Sequence, residues 1–409
     1  MNQNKSVKIR FKGFTEAWEQ RELNTAATFL NGRAFSQSEL LSKGEYPVLR
    51  VGNFYTNDKW YFSDLVLPEK FYANKGDLLY TWSATFGPHI WEGGKVIYHY
   101  HIWKLLLGKD TDKTFLLSLL QRDRETLLHG SNGSTMIHIT KQAMEAKKLF
   151  FPRSQEEQKQ IGSFFKTIDK AITLHQRKLN RFQKIRTTFL QKMFPKNGET
   201  KPAIRLTGFN ADWEQEKLQN FAVRITRKNI RKQNNRPLTI SAQHGLVDQT
   251  VYFNNRVAAQ DVSNYYLIKK GEFAYNRSTS KDAPVGAVRR LVDYGEGVLS
   301  TLYLVFSITD PQHVDPNYLS YFFETTGWHS WILERAAEGA RNHGLLNVSS
   351  QDFLSLPVML PSSLEEQQKI GEFFQKIDDC IILLERQADL LKQIKSSLLL
   401  SMFPPSNAE

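Results

Sequence analysis

A sixteen-residue pattern occurs twice in this chain, as SQEEQKQIGSFFKTID at Ser154–Asp169 and as SLEEQQKIGEFFQKID at Ser363–Asp378. The similarity continues to a Met-Phe-Pro in both copies, and 18 of 42 aligned positions are identical. A second pair of segments, Ile9–Gln20 and Ile204–Gln215, is identical at seven of twelve positions. A repeat period of about 200 residues indicates a duplicated domain rather than an array of short repeats.

Each copy of the longer repeat predicts one long helix. Ser154 with Glu157, and Ser363 with Glu366, have the spacing of capping boxes, in which hydroxyl and carboxylate bond opposite backbone donors of the first turn. The proline that follows Met-Phe in each copy predicts the end of the helix, because proline cannot continue the hydrogen-bond ladder.

Between these ends, apolar residues recur in register over five heptads, which is typical of a coiled coil. Polar His175, Arg186 and Lys395 occupy further seam positions, and His175 is more typical of a packed core histidine than of a ligand. The predicted seam comprises Ile161, Phe165, Ile168, Ile172, Leu179, Phe182 and Phe189 in the first helix, and Ile370, Phe374, Ile377, Ile381, Leu384, Leu391 and Leu398 in the second.

Two homologous seams of equal length predict that the helices pack on each other. We call the stretch before each long helix a variable domain. An antiparallel pair is favoured because the first helix runs from the first variable domain to the second, and the second helix can run back toward the first. Their charges agree with pairing, since residues 154–193 carry a net charge of +6 and residues 363–402 a net charge of −2. Two separate, solvated helices are the alternative.

The bulk composition indicates a folded protein with a polyanionic partner. The chain has 409 residues, of which 41% are hydrophobic, a formal net charge of +12 and a sequence pI of about 9.4. Nucleic acid is the first candidate partner. The absence of an apolar leader and of a membrane-length apolar run, together with a single cysteine, Cys380, predicts a cytoplasmic protein without disulfides.

The segments outside the repeats predict α+β domains. Short apolar runs such as VIYHYHIW, from Val96, alternate as strands do, and Gly-rich turns separate them. Residues 114–128 and 317–337 predict helices. The expected fold is therefore α+β: domains at 1–152 and 197–361 are separated by a long antiparallel two-helix coiled coil, formed by 153–196 and 362–409, with an internal pseudo-two-fold repeat.

Polar and basic side chains in the variable domains favour DNA binding. The segment Arg224–Arg236 contains six basic residues and no acid, interleaved with Asn and Gln, which suits both phosphate contacts and base readout. An exposed basic loop without a partner is the alternative. The predicted DNA-binding residues are Arg50, Asn53, Thr81, Trp82, Ser83, Thr85, Ser131, Asn132, Ser134, Arg224, Arg227, Lys228, Arg231, Lys232, Arg236, Asn276, Arg277, Ser278, Lys281, Arg341, Asn342 and His343.

Motifs of catalysis are missing from the sequence. It contains neither a P-loop nor a Gly-rich dinucleotide fingerprint after a strand, the usual sites for ATP or S-adenosylmethionine. DPNY, from Asp315, lacks one proline of the [ND]-P-P-[YF] motif of adenine methyltransferases and suits a helix start better. His99 and His101 have a strand spacing that is more typical of a surface than of a metal site. We expect no catalytic residue, cofactor or metal in this chain.

The layout as a whole resembles the specificity subunit of type I restriction-modification systems. The resemblance rests on GFxxxWEQ at Gly13–Gln20 and Gly208–Gln215, and on PxSxEEQxxIG at Pro152–Gly162 and Pro361–Gly371, each followed by a heptad helix. It covers essentially the whole chain. A second proline often follows the first in this family, whereas this chain has PRS and PSS.

The resemblance implies that each variable domain is a target recognition domain for one half of a bipartite double-stranded DNA sequence. It also implies two modification subunits, which bind S-adenosylmethionine, and restriction subunits, which use ATP and Mg²⁺; neither activity would belong to this chain. Two other interpretations remain: a self-sufficient DNA-modifying enzyme with a degenerate active site, and a coiled-coil scaffold without DNA binding.

Overall fold

The chain forms two compact units in a computed structural model that describes residues 7–55, 57–83, 85–130, 139–196, 198–241, 245–255, 257–336 and 344–405. Unit 1 comprises residues 1–177 and 384–409, and unit 2 comprises residues 178–383. Each unit therefore contains one variable domain together with part of each repeat helix.

Unit 1 contains three small sheets and a packed helix layer. Its elements are β1 (Glu19–Glu22), α1 (Leu23–Ala26), β2 (Ala27–Asn31), β3 (Tyr46–Leu49), β4 (Tyr61–Ser63), β5 (Tyr72–Ala73), β6 (Leu78–Thr81), β7 (Gly87–Ile90), β8 (Val96–Tyr98), β9 (Ile102–Leu107), α2 (Lys113–Gly130), α3 (Lys141–Glu145), β10 (Lys148–Phe151) and the start of α4 (Gln155–Lys192). The strand orders are β2-β9-β6-β7, β4-β3-β8-β5 and β1-β10. Only the β3–β8 pairing among the named strands of this unit is parallel.

Unit 2 repeats part of this topology. After the end of α4 come β11 (Glu214–Lys217), β12 (Ala222–Ile225), β13 (Leu238–Ser241), β14 (Gly245–Asp248), α5 (Gln249–Phe253), β15 (Tyr266–Lys269), β16 (Phe273–Asn276), β17 (Ala287–Arg290), β18 (Glu296–Leu299), β19 (Leu304–Ile308), α6 (Pro316–Phe322), α7 (His329–Arg335), α8 (Ser350–Leu354), β20 (Pro357–Leu360) and α9 (Leu364–Met402). The sheets β12-β19-β16-β17 and β11-β20 correspond to β2-β9-β6-β7 and β1-β10 of unit 1, whereas β13-β14 and β15-β18 form separate pairs.

The central strands β6 and β16 follow equivalent turns. Gly76 and Gly271 adopt φ angles of 91° and 92°, values in the left-handed region that glycine occupies without a Cβ penalty. Each turn leads into a buried strand at the centre of its four-stranded sheet. The two variable domains therefore share a scaffold although little of their sequence can be aligned.

Two sequence predictions about helices need correction. The expected helix over residues 317–337 is two helices, because α6 ends at Phe322 and α7 begins at His329. Trp328, in the break between them, is buried, and its indole nitrogen donates to the carbonyl oxygen of Phe323 at 3.1 Å. A Thr-Thr-Gly sequence at 325–327 allows this tertiary contact to interrupt the helix.

The glutamates of the expected capping boxes bind arginines instead of backbone groups of the helix start. The backbone nitrogen of Glu157 donates to the Ser154 hydroxyl at 3.4 Å, but the Glu157 carboxylate accepts two hydrogen bonds from Arg10, at 2.6 and 2.8 Å. In unit 2, the Glu366 carboxylate accepts two from Arg205, at 2.7 and 2.8 Å. The glutamates therefore hold the repeated segment at the start of each variable domain against the helix that follows that domain.

The remaining repeated residues complete this junction in each unit. Gln158 is fully buried and satisfied, because its amide accepts from the backbone of Asp112 and donates to the carbonyl oxygens of Asp110 and Pro152, all within 3.2 Å. Gln367 makes the equivalent contacts in unit 2. Burying an amide with all its partners makes the helix start specific, because a shifted helix would leave these groups unpaired.

Each repeated tryptophan packs on residues of its own unit. In unit 1, Trp18 lies edge-on to Phe115 and Phe403, with ring centroids 5.9 Å away in both cases. In unit 2, Trp213 lies edge-on to Tyr318 at 5.8 Å and Phe194 at 6.2 Å. The phenylalanine that follows each repeat helix therefore packs in a core: Phe403 after α9 in unit 1 and Phe194 after α4 in unit 2.

The halves of α4 and α9 that share a unit contact each other in the antiparallel sense. In unit 1, Phe165 near the start of α4 packs on Phe403, and the Asp169 carboxylate accepts from Lys395 at 2.5 Å. In unit 2, Phe189 near the end of α4 packs on Phe373 with ring centroids 5.1 Å apart. Every predicted seam side chain is buried or half-buried.

Two ion pairs occupy equivalent polar positions of the seam. Lys395 bonds Asp169 in unit 1, and Arg186 bonds both Asp378 and Glu324 in unit 2. The offset of 209 residues that aligns the repeat helices also relates Lys395 to Arg186 and Asp378 to Asp169. A polar pair at a seam position specifies the register of two helices, because sliding either helix leaves its charges unpaired.

We expect Gly162→Ala to destabilise unit 1 by about 1–3 kcal/mol, because a Cβ atom there would lie 2.5 Å from the backbone nitrogen of Phe115. Urea unfolding measures this change. Gly94→Ala is the matched control, since nothing lies within 4 Å of the position of its Cβ. Equal stability of the two variants would contradict the close approach of α4 to α2.

No described helix is long and apolar enough to cross a lipid bilayer.

Candidate nucleic-acid interface

The basic segment after β12 is anchored by part of its own charge. Arg227 makes two hydrogen bonds to the buried Glu272 carboxylate, at 2.9 and 3.2 Å, and another to the carbonyl oxygen of Leu267 at 3.0 Å. Lys228 donates to the carbonyl oxygen of Asn264 at 2.9 Å and lies 4.1 Å from the centre of the Tyr266 ring. These two predicted DNA-binding residues therefore fix the position of the loop.

Asn229 has the same anchoring role. It is fully buried, and its side chain donates to the carbonyl oxygen of Asn234 and accepts from the Asn234 backbone, at 2.7 and 3.2 Å. Asn229 lies in the segment whose interleaved Asn and Gln side chains suit base readout, but these bonds close the six-residue loop 229–234 instead. The four residues between Asn229 and Asn234 are exposed.

The outward-facing basic side chains of this segment are Arg231, Lys232 and Arg236. All three are exposed. Lys232 lies 3.6 Å from Asp261 and Arg236 lies 3.5 Å from Asp248. Exposed ion pairs of this kind contribute little, so a phosphate can replace the carboxylate at low cost. Arg224, on β12, is also exposed and donates to the Tyr266 hydroxyl at 3.4 Å.

The loop after β16 is held by hydrogen bonds to backbone groups that are distant in the chain. Arg277 donates to the carbonyl oxygens of Leu302 and Val348, and the backbone nitrogen of Thr279 donates to the Gly344 carbonyl oxygen at 2.7 Å. Asn276 accepts from the backbone of Ser278 at 3.0 Å. Ser278 and Lys281 are exposed. Arg277 and Asn276 thus shape the loop, and Ser278 and Lys281 are left on its surface.

The equivalent loop after β6 in unit 1 is different in character. Thr81 is fully buried and its hydroxyl donates to the carbonyl oxygen of Thr85 at 2.8 Å. Trp82 is half-buried, and its indole nitrogen donates to the Tyr100 carbonyl oxygen at 2.8 Å. Ser83 is half-buried and Thr85 is exposed. This loop therefore offers aromatic surface where the loop of unit 2 offers charge.

Residues at the turn between β8 and β9 extend that aromatic surface. The ring of His101 lies 4.9 Å from Trp82, and the ring of Tyr100, which is 39% exposed, lies 3.9 Å from His101. The sequence prediction missed them, because alternation through VIYHYHIW indicates one continuous strand. Consecutive side chains of one strand point to opposite faces, whereas the turn at Tyr100 and His101 brings the rings of residues 99–101 to within 5.0 Å of one another.

His89 and His99 add no charge at neutral pH. Burial, and after it the Arg124 guanidinium, lower the pKa of His89 to about 4. Burial, then His101 and Arg50, lower the pKa of His99 to about 4. Both imidazoles are therefore neutral, and their flat faces pack on Phe54 and Phe35 respectively.

The predicted residues of the β3–β4 loop are partly structural. The side-chain oxygen of Asn53 accepts from the Arg50 backbone at 3.0 Å, and its amide donates to the carbonyl oxygens of Asn57 and Lys59. The Arg50 guanidinium lies over the Tyr61 ring at 4.9 Å. Six predicted DNA-binding residues lie outside the described residues: Ser131, Asn132, Ser134, Arg341, Asn342 and His343.

The DPNY segment from Asp315 has a structural role. Asp315 caps α6, because its carboxylate accepts from the backbone nitrogens of Asn317 and Tyr318, and Pro316 occupies the first turn. The expectation that DPNY is a helix start is confirmed. Within the described ranges, no group of three or more His, Cys, Asp or Glu side chains is placed to hold a metal ion.

The sequence profile of the type I restriction modification DNA specificity domain matches this chain twice, over residues 15–184 and 210–394. The chain belongs to this family. Each match begins near a repeated GFxxxWEQ segment and ends within α4 or α9, so each covers one variable domain and most of the helix that follows it. No curated protein sequence matches the chain significantly.

Solved structures with the same fold include members of type I systems. The S subunit of a type I restriction-modification system from M. genitalium is 14% identical, with a TM-score of 0.63, and the alignment covers 98% of this chain and 100% of that one. A chain from a study of complex assembly and conformational transition in the type I system is 13% identical, with a TM-score of 0.50, covering 93% and 96%. At these identities the likeness concerns the fold alone.

Proposed function

We propose that this specificity-family chain is the non-catalytic DNA-recognition subunit of a type I restriction-modification complex. Residues 1–152 and 197–361 are two target recognition domains, and each reads one half of a bipartite duplex sequence. Residues 153–196 and 362–409 are spacer helices that form an antiparallel coiled coil. The coiled coil sets the distance between the half-sites and docks two modification subunits.

The observation that carries this proposal is a shared scaffold with unlike surfaces. The sheets β2-β9-β6-β7 and β12-β19-β16-β17 have the same strand order. The loop after the third strand of each order presents Trp82 in unit 1, and Ser278 and Lys281 in unit 2. One fold with two different surfaces suits the reading of two different DNA sequences, because base readout depends on the individual side chains that reach the grooves.

The contacts of the long helices support the spacer role. Antiparallel contacts occur in both units, and the equivalent ion pairs Asp169–Lys395 and Arg186–Asp378 specify one register. The 38 residues of α4 measure about 57 Å at about 1.5 Å per residue. This length exceeds one turn of B-DNA, which is roughly 34–36 Å, so a rod of this size suits half-sites about one turn apart.

Exposed apolar side chains on α9 support a protein-docking role. Leu390 is 56% exposed and Ile394 is 42% exposed, and their four-residue spacing places them on one side of the helix. An apolar patch that the described residues of this chain leave uncovered is typical of a protein interface. We assign it to a modification subunit. In this proposal S-adenosylmethionine, ATP and Mg²⁺ are bound by the modification and restriction subunits.

The proposal is tested by methylome sequencing of cells that express this chain with its modification partner. The wild-type chain should direct methylation to one bipartite sequence. Substituting Arg231, Lys232 and Arg236 with Gln should lower affinity about tenfold to a hundredfold, or relax the half-site read by unit 2, and leave the other half-site unchanged.

The matched control substitutes Lys369, Lys376 and Lys392 on α9 with Gln, which removes the same charge from other exposed positions. Methylation of an uninterrupted sequence would refute the bipartite proposal. Methylation or cleavage of DNA by the purified chain alone would instead identify a self-sufficient enzyme.

A further inference from the structure

The first part of α4 carries a basic stripe on the side that faces away from the seam. Lys159, Lys166, Lys170 and Arg177, which we call the α4 stripe, follow one another at intervals of seven, four and seven residues. At about 100° per residue, these intervals place all four within about 40° around the helix axis. Ile161 and other seam residues lie on the opposite side.

The four side chains are free to meet a partner. All are exposed. The ion pairs of α4 are formed by Glu157, Asp169 and Arg186, and within the described ranges the stripe residues have none. Over residues 159–177, or about 27 Å of helix, the stripe thus presents four positive charges in a row without an ion-pair partner.

The repeat supplies an internal comparison for this stripe. At an offset of 209 residues, the corresponding positions of α9 are Gln368, Gln375, Asp379 and Arg386, whose charges sum to zero. These residues are also exposed. Since α9 has 39 residues, α4 has 38 and both have the same kind of seam, neither helix formation nor solvation requires the positive charge on α4.

The chemistry of the stripe suits a phosphate backbone better than a protein. Protein interfaces are depleted in lysine and usually contain aromatic or apolar anchors. Among the described residues of α4, Leu174 alone is a large apolar side chain that is exposed, and it lies beside Lys170, whereas α9 exposes Ile382, Leu383, Leu390 and Ile394. Duplex DNA presents about one negative charge per 1.7 Å of its axis, so a straight row of lysines about 27 Å long can pair with several phosphates without reading bases.

We propose that the α4 stripe contacts phosphates of the DNA between the two half-sites. This inference rests on the proposed function, since it requires a bipartite target with an unread gap. The stripe adds affinity without adding sequence preference, and it makes α4 the DNA-facing helix while α9 faces a protein partner. The two spacer helices, although homologous, therefore have different roles.

The test compares salt dependence in the complex of the full chain with its modification subunits. Replacing Lys159, Lys166, Lys170 and Arg177 with Gln should reduce the slope of log affinity against log salt by about three to four, because each lost phosphate contact contributes about 0.9. The matched control replaces Lys369, Lys376, Arg386 and Lys392 with Gln, an equal change of charge on α9, and should keep the wild-type slope.

A second measurement changes the DNA instead of the protein. Duplexes with neutral methylphosphonate linkages only in the gap should weaken binding by the wild-type complex and leave binding by the stripe variant unaffected. An unchanged slope, or equal changes in variant and control, would overturn the proposal. Loss of the modification subunits from the stripe variant would overturn it as well and identify the stripe as a protein contact.

The same titration separates this inference from the proposed function. If the wild-type complex does not prefer its bipartite target over a scrambled duplex, then the proposed function fails. If that preference is present and the stripe variant retains the wild-type slope, only the role of the stripe fails.

Discussion

Removing one heptad from each long helix should shorten the unread gap of the DNA target by about three base pairs and leave both half-sequences unchanged. Seven helical residues span about 10.5 Å, and one base pair spans about 3.4 Å of DNA. Suitable deletions are residues 173–179 of α4 and their repeat equivalents, 382–388 of α9. Both lie between the seam ion-pair positions, so Asp169–Lys395 and Arg186–Asp378 keep their partners.

Methylome sequencing measures this prediction, because it reports both half-sites and their separation. The control is deletion of residues 173–179 alone, which leaves one helix longer than the other and cannot keep both ion pairs. We expect that variant to lose stability rather than to methylate a new sequence. An unaltered gap after the paired deletion would show that the helices do not set the spacing.

Arg205→Ala should destabilise unit 2 by about 3–5 kcal/mol. Only 1% of the Glu366 side chain is exposed, and both of its oxygens accept from Arg205. Removing the guanidinium leaves a buried carboxylate without its charged partner, which costs far more than the loss of a surface pair. Urea unfolding followed by tryptophan fluorescence measures the change, since Trp213 lies in the core of the same unit.

Two further variants sharpen the comparison. Lys369→Ala breaks an exposed pair with Glu365 and should cost less than about 1 kcal/mol. Arg10→Ala should cost less than Arg205→Ala, because Glu157 retains a hydrogen bond of 3.2 Å from the Trp18 indole. A loss at Arg205 no larger than that at Lys369 would contradict the role of the buried pair.

Much of the helical framework could be predicted because it depends on local rules. Heptad spacing and the Met-Phe-Pro segments predicted where the long helices lie and end. In the structure α4 ends at Lys192 and α9 at Met402, a few residues before each proline. The seam was identified for the same reason: a period of 3.5 residues brings apolar side chains to one side of any helix. The helix start at DPNY and the capping role of Asp315 likewise follow from proline and aspartate chemistry.

The roles of individual polar residues were harder to predict. Arg227 and Asn229 belong to the stretch that suggested DNA binding, yet their partners, Glu272 and Asn234, hold them within the fold. Arg231, from the same stretch, is exposed. Sequence spacing does not distinguish these cases, because whether a guanidinium meets a carboxylate or solvent depends on residues that are distant in the chain.

The sequence by itself determined the duplication, the two long helices, their apolar seams and the excess of positive charge, because each is a local or compositional property. Only the tertiary structure decided the strand order, the split between α6 and α7, and the pairing of Arg10 with Glu157 and Arg205 with Glu366. The two ion pairs join residues 147 and 161 positions apart in the chain. Local spacing carries no information about such contacts, so the sequence alone does not show that the glutamates expected in capping boxes bind arginines at the start of each variable domain.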